Sequence, residues 1–167
     1  MFRKSFYIVA LIFLAFGAEA QYTTGIGIRF GNPGRGLSVI QYFSPKSRGA
    51  ANFLFVNQFK GYCLTGLYEI HAKNHNEHIE LANVGFYGGV GGHAGRYQEK
   101  AYFTNTALTN EEYFFVGGFD LVAGVEWKLP HVPLLLSADI KPFLDFSISK
   151  DQPLYLDYAA TLRYLFN

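Results

Sequence analysis

In the last third of the chain, ionisable residues of both signs stand in the middle of apolar, strand-like runs, and few folds accommodate that arrangement. Read at a period of two, Gly118 to Lys128 places Phe119, Leu121, Ala123, Val125 and Trp127 on one face and Asp120, Val122, Gly124, Glu126 and Lys128 on the other. After the break Pro130-His131-Val132-Pro133, Leu136, Ala138 and Ile140 stand opposite Ser137, Asp139 and Lys141, with Asp145 further on. The final run sets Leu156, Tyr158, Ala160, Leu162, Tyr164 and Phe166 against Asp157, Ala159, Thr161 and Arg163. A sheet in water buries its greasy face. A closed barrel in lipid turns that face outward and encloses the charged one, and the aromatic, aliphatic faces here point to the second arrangement.

Composition agrees with strands rather than helices as the membrane-facing elements. The chain is half hydrophobic and rich in Phe, Tyr and Gly, yet its mean hydropathy is close to neutral, well below that of a helical membrane protein. Strands that give alternate positions to lipid and to a polar lumen produce this middle value. Residues 1–20 read as a secretory signal peptide, with Arg3 and Lys4 at the start, an apolar core from Phe6 to Phe16 and the small-residue ending Ala18-Glu19-Ala20. Cleavage is expected to leave residues 21–167 as one domain, and removing Arg3, Lys4 and Glu19 leaves equal numbers of acidic and basic residues. There is no basic stripe, so nucleic acid is not an expected partner. Cys63 is the single cysteine, which excludes an intrachain disulfide and cysteine-rich metal sites.

From Tyr22 onward the sequence shows no convincing amphipathic helix but about eight strand-like runs separated by turn signals. They begin near Thr23, Leu37, Ala51, Tyr62, Leu81, Gly118, Leu136 and Leu156, and the faces of the second resist assignment. Five glycines from Gly85 to Gly92 suggest strong curvature or close approach inside a narrow barrel. The longest connection is expected to be a polar loop from Gly95 to Glu112. The expected fold is all-β: an antiparallel, up-and-down, eight-stranded transmembrane β-barrel. Eight strands of roughly ten residues with their connections need on the order of 140 residues, which the processed chain supplies.

Eight strands leave a lumen that side chains fill. Arg29, Glu69, Asp120, Glu126, Asp139, Lys141 and Arg163 are therefore expected to form an ionic network within it, since buried charges require partners. Trp127, Tyr164 and Phe166 are expected at the membrane interface. The terminal pattern Tyr158-x-Ala160-x-Leu162-x-Tyr164-x-Phe166 resembles the last strand of Gram-negative outer-membrane proteins, except that Asn167 follows the final aromatic. The segments TGLYEIH, GVGGHAG and GVEWKLPHVPLLLSADIKP are similar to those of small uncharacterised eight-stranded outer-membrane barrels. The resemblance implies an outer-membrane location, contact with outer-membrane lipid and lipopolysaccharide, and recognition of the last strand by the barrel-assembly machinery. A monomer is expected, with a structural or surface-interaction role in the envelope. The group has no assigned activity, so the resemblance carries over no functional residues.

Three other readings have some footing in the residues. His71, His75 and His78 with Glu69, Glu77 and Glu80 have helix-type spacing across a strand end and turn, which favours a solvated hairpin; no metal or cofactor is expected. A lipid-modifying enzyme, an acyl hydrolase or transferase, would need a base such as His93 with Ser147, Ser149 and Asp151 across the barrel, but no motif links them. A secreted lipocalin-like carrier would reverse every face, with apolar residues inside around a ligand.

Overall fold

The computed structural model describes residues 24–43, 48–73, 83–102, 112–146 and 154–166. The expected signal peptide and its cleavage point lie outside them. The described chain forms β1 (Thr24–Asn32), β2 (Arg35–Tyr42), β3 (Gly49–Gln58), β4 (Gly61–Lys73), β5 (Val84–Gln98), a four-residue helical turn α1 (Glu99–Tyr102), β6 (Tyr113–Lys128), β7 (Leu134–Phe146) and β8 (Leu154–Phe166). Each strand pairs antiparallel with the next, and β1 pairs with β8, so the sheet closes with no free edge.

Closure carries a stagger. From Phe30, the paired residues through β2 to β5 are Arg35, Asn57, Tyr62 and Arg96, arriving at Phe115 of β6. In the other direction they are Ala160 and Ala138, arriving at Val125 of the same strand. The two routes differ by ten residues, a shear of ten on eight strands, which tilts the strands by about 40° to the barrel axis.

The faces follow the alternation. Leu121, Val125, Ile140 and Leu162 point outward and are exposed, while Asp120, Asp139, Lys141 and Arg163 point into the barrel and are buried. A carrier with an apolar interior requires the opposite. In β2, whose faces the sequence leaves open, Leu37 and Val39 face out and Ser38 and Ile40 face in. The pattern is blurred because an apolar residue, Ile40, occupies an inward position.

One expectation changes. Instead of breaking at Gly95, β5 runs on to Gln98, while the alternating run read from Gly118 extends back to Tyr113, where the expected loop ends. Arg96, which reads as a loop residue, lies on the outer wall with its guanidinium 4.9 Å from the centre of the Tyr113 ring and 5.9 Å from that of Phe115. The connection is thus 99–112 and opens with a helical turn. The tight turn between β3 and β4 is formed by Phe59 and Lys60, between the paired Gln58 and Gly61. Both turn residues have positive φ, 47° and 56°, a conformation that favours Asn-Gly and costs other residues roughly 1–2 kcal/mol each.

Where the lumen is tightest, glycine has no substitute. A Cβ on Gly91 would lie 2.0 Å from the Gly66 carbonyl oxygen, and one on Gly118 would lie 2.5 Å from Cε1 of His93. The glycine-rich stretch of β5 therefore lets β4 approach, and Gly118 makes room for the His93 ring. Among the described residues no helix is long and apolar enough to cross a membrane.

Candidate functional site: the ionic lumen and its aromatic cap

Inward positions on all eight strands fill the barrel in three storeys. The central one holds most of the charge. Arg29 on β1 donates from both terminal nitrogens to Asp139 on β7, each at 2.8 Å, and also to Asp157 on β8 at 3.1 Å. Tyr87 on β5 donates to the same Asp139 carboxylate at 3.0 Å. Lys141 donates to Asp120 at 2.7 Å, lies 3.9 Å from Asp157 and sits 4.5 Å above the Phe143 ring. His93 is held between two carboxylates, with Nδ1 2.8 Å from Asp120 and Nε2 2.6 Å from Asp145. A neutral imidazole has a single N–H, so the doubly protonated ring is the form that donates both bonds.

The storey nearer the chain termini is organised by His71. Its Nδ1 lies 3.0 Å from Glu126, and its Nε2 lies 3.3 Å from Glu69, within ion-pair range but not aligned as a hydrogen bond. Tyr42 donates to Glu126 at 3.3 Å, and Asn52 donates to Glu69 at 2.8 Å. Arg163 is a departure from the expected network. Although almost fully buried, it makes no ion pair among the described residues; Nε donates to Ser38 at 2.9 Å and Nη1 to Ser137 at 2.8 Å. Register explains this: its neighbours at that height are Gly27 on β1 and Leu135 on β7, neither of which carries a charge.

At the opposite end the lumen is capped by rings. Phe59 packs 5.1 Å from each of Tyr97, Tyr102 and Tyr155, and Tyr102 and Phe114 meet at 5.3 Å. Tyr102 reaches in from α1 and donates to Asp145 at 2.6 Å, while Tyr155 donates to the Tyr102 carbonyl at 3.0 Å. Burial, together with the Asp145 carboxylate, pushes the Tyr102 hydroxyl above its usual range, so it remains a donor. Gln58 and Tyr97 are also hydrogen-bonded to each other. The strained turn at Phe59 thus places an aromatic ring over the mouth.

The expected interface residues Trp127, Tyr164 and Phe166 lie on the outer wall toward the other end, with the Tyr164 and Phe166 rings 4.8 Å apart. Of the considered alternatives, His93 is not a rim base, because it is buried with both nitrogens engaged; Ser147, Ser149 and Asp151 lie outside the described residues. So do His75, His78, Glu77 and Glu80. Among the described residues no cluster of His, Cys, Asp or Glu has the makings of a metal site.

Several participants in the lumen carry little local signal. Asp157 was legible, since it shares the inward parity of Thr161 and Arg163. His93 also shares the inward parity of β5, and its two carboxylate partners become visible only with the pairing of β5, β6 and β7. Nothing local marks Tyr102 or Phe59 as lumen residues.

The ion pairs are long-range in sequence and tie strands across the closure. Arg29 alone joins the first strand to the last two. Buried pairs of this kind contribute little net stability over apolar packing, but removing one partner is costly.

Comparison with known structures identifies a fold of the same kind. The chain is similar to the N-terminal β-barrel domain of Pseudomonas aeruginosa OprF. The match has a TM-score of 0.61 at 10% sequence identity and covers 89% of this chain and 100% of that domain. At this identity the likeness is one of fold: a closed, antiparallel, up-and-down barrel of eight strands. No protein-family model and no curated protein sequence matches the chain.

Proposed function

We propose that this protein is a small integral outer-membrane β-barrel whose lumen is closed by hydrogen-bonded ion pairs and an aromatic cap, with a structural or surface-interaction role in the envelope and no catalytic activity. The observation that carries this reading is the inversion of the barrel. Its outer wall presents Ile28, Phe53, Leu64, Phe86, Leu121 and Ile140, all about half exposed or more, while Arg29, Asp120, Asp139 and Lys141 are buried. Such an exterior is unstable in water and suited to hydrocarbon.

Dimensions support it. The 13-residue strands β4, β7 and β8 extend about 43 Å, or about 33 Å along the axis at a 40° tilt, enough to cross an apolar band of about 25 Å. Closure satisfies the backbone groups that lipid cannot. The start of β1 and the end of β8 then lie on the side of the connections 43–48, 74–83 and 129–133, taken as periplasmic, and the aromatic cap faces outward. His93, the base an enzymatic reading would use, is buried with both ring nitrogens engaged by Asp120 and Asp145, which favours a non-enzymatic role.

The test is refolding into detergent or vesicles. The folded protein should run faster than the boiled protein on a gel; a folded protein that stays soluble without detergent would refute the proposal. Incubation with labelled phospholipid and lipopolysaccharide should release no acyl chains. Release that disappears in His93→Ala would establish the enzymatic reading instead.

A further inference from the structure

On the outer wall, Ala160 and Ala138 are neighbours in the inclined row that runs Phe30, Ala160, Ala138, Val125 across β1, β8, β7 and β6. The adjoining rows are bulky, with Tyr158 paired to Ile140 on one side and Leu162 to Leu136 on the other. Two methyl side chains between two such rows leave a trough. One part is a groove of about 590 Å3 bordered by Phe30, Asn32, Arg35 and Tyr158 and floored by the alanines. A second, of about 420 Å3, continues from the same alanines toward Val84, Trp127 and Leu136. Because the row is inclined by the stagger of the barrel, the trough descends the wall obliquely, which suits an extended chain rather than a compact molecule.

The upper mouth has a different chemistry. Arg35 projects from the outer wall opposite Phe30 and makes no ion pair among the described residues. Beside it Asn32 donates to the Tyr158 hydroxyl at 2.9 Å, leaving the Tyr158 proton and the Asn32 carbonyl at the same mouth. The nearby carboxylates are already engaged in the lumen, Asp139 with Arg29 and Tyr87, and Glu126 with His71 and Tyr42. The mouth is therefore cationic and the floor apolar. That is the complement of one ligand class, an anionic lipid with a phosphate headgroup, since a guanidinium fork matches phosphate oxygens in geometry and charge.

We propose that this trough is a specific site for one anionic phospholipid, with its phosphate on Arg35 and the Tyr158 hydroxyl and an acyl chain along Ala160 and Ala138. The inference rests on the membrane-barrel reading above and narrows it to a lipid selected by headgroup charge.

The full processed chain is refolded into phosphatidylcholine vesicles containing a minority of phosphatidylglycerol, extracted into mild non-ionic detergent, and its retained lipid is counted by native mass spectrometry. A heat-modifiable gel band is recorded on the same preparation. One phosphatidylglycerol should be retained in preference to phosphatidylcholine. Arg35→Gln should lower that retention about tenfold, the loss of roughly one charge-assisted hydrogen bond. Ala138→Leu with Ala160→Leu should abolish it by filling the trough. Arg96→Gln, a second outer-wall arginine that rests on Tyr113 and Phe115 away from the trough, should leave it unchanged. Equal retention of the two lipids, or Arg35→Gln retaining as much as the wild type, would overturn the lipid site while the gel shift leaves the barrel standing. A wild type without the gel shift would overturn both.

Discussion

Replacing Asp139 by Leu tests how the lumen holds the barrel shut. The carboxylate accepts two hydrogen bonds from Arg29 and one from Tyr87, all between 2.8 and 3.0 Å, in a site with almost no solvent access. Removing one partner of a buried pair costs about 3–5 kcal/mol because the other charge is left stranded. Asp157 remains 3.1 Å from Arg29 and continues to compensate it, so the lower end, about 3 kcal/mol, is expected. With a urea slope of about 2 kcal/mol/M, the unfolding midpoint in vesicles should fall by about 1.5 M. Trp127, the single tryptophan, sits on the outer wall and reports the transition by fluorescence. The pair Arg29→Leu with Asp139→Leu should recover part of the loss: the Arg29–Asp139 pair is then removed whole, but Asp157 keeps only Lys141, 3.9 Å away. An unchanged midpoint in Asp139→Leu, or a double variant no better than the single, would refute the idea that this pair enforces closure.

Other consequences are measured in the same way. Ile140→Arg, at the middle of β7 on the outer face, should cost about 2–4 kcal/mol in vesicles, as expected for a cation at the bilayer midplane; a neutral effect would place that face away from lipid. His93→Leu should destabilise by about 3 kcal/mol, because Asp120 and Asp145 lose the donor they share, although Lys141 and Tyr102 remain to them; unaltered stability would show that the ring is not the bridge described. Phe59→Asn combined with Lys60→Gly removes the unfavourable φ values but also the ring that caps the lumen. Exchange of the Tyr97 and Tyr155 ring environments, followed by NMR, should increase even where the unfolding midpoint is unchanged, whereas an undisturbed cap would show that Phe59 does not hold it.

The alternation of the last third fixes which residues share a face, because successive side chains on a strand point to opposite sides whatever surrounds it. Leu121, Val125 and Ile140 opposite Asp120 and Asp139 could therefore be grouped from sequence, and the number of strands followed from the turn residues. Where an inward position is apolar, as at Ile40, or an outward one is charged, as at Arg96, the pattern loses contrast; for that reason the faces of β2 resist assignment and β5 reads as ending early. Partnership is a different matter. That Arg29 meets Asp139, 110 positions away, while Arg163 meets only serines, depends on a ten-residue stagger accumulated over eight pairings, and no local pattern encodes that sum. The clamp around His93 and the Tyr102 ring in the lumen also come from the closed barrel alone. Periodicity is a property of one strand, whereas contact across a lumen is a property of the closure.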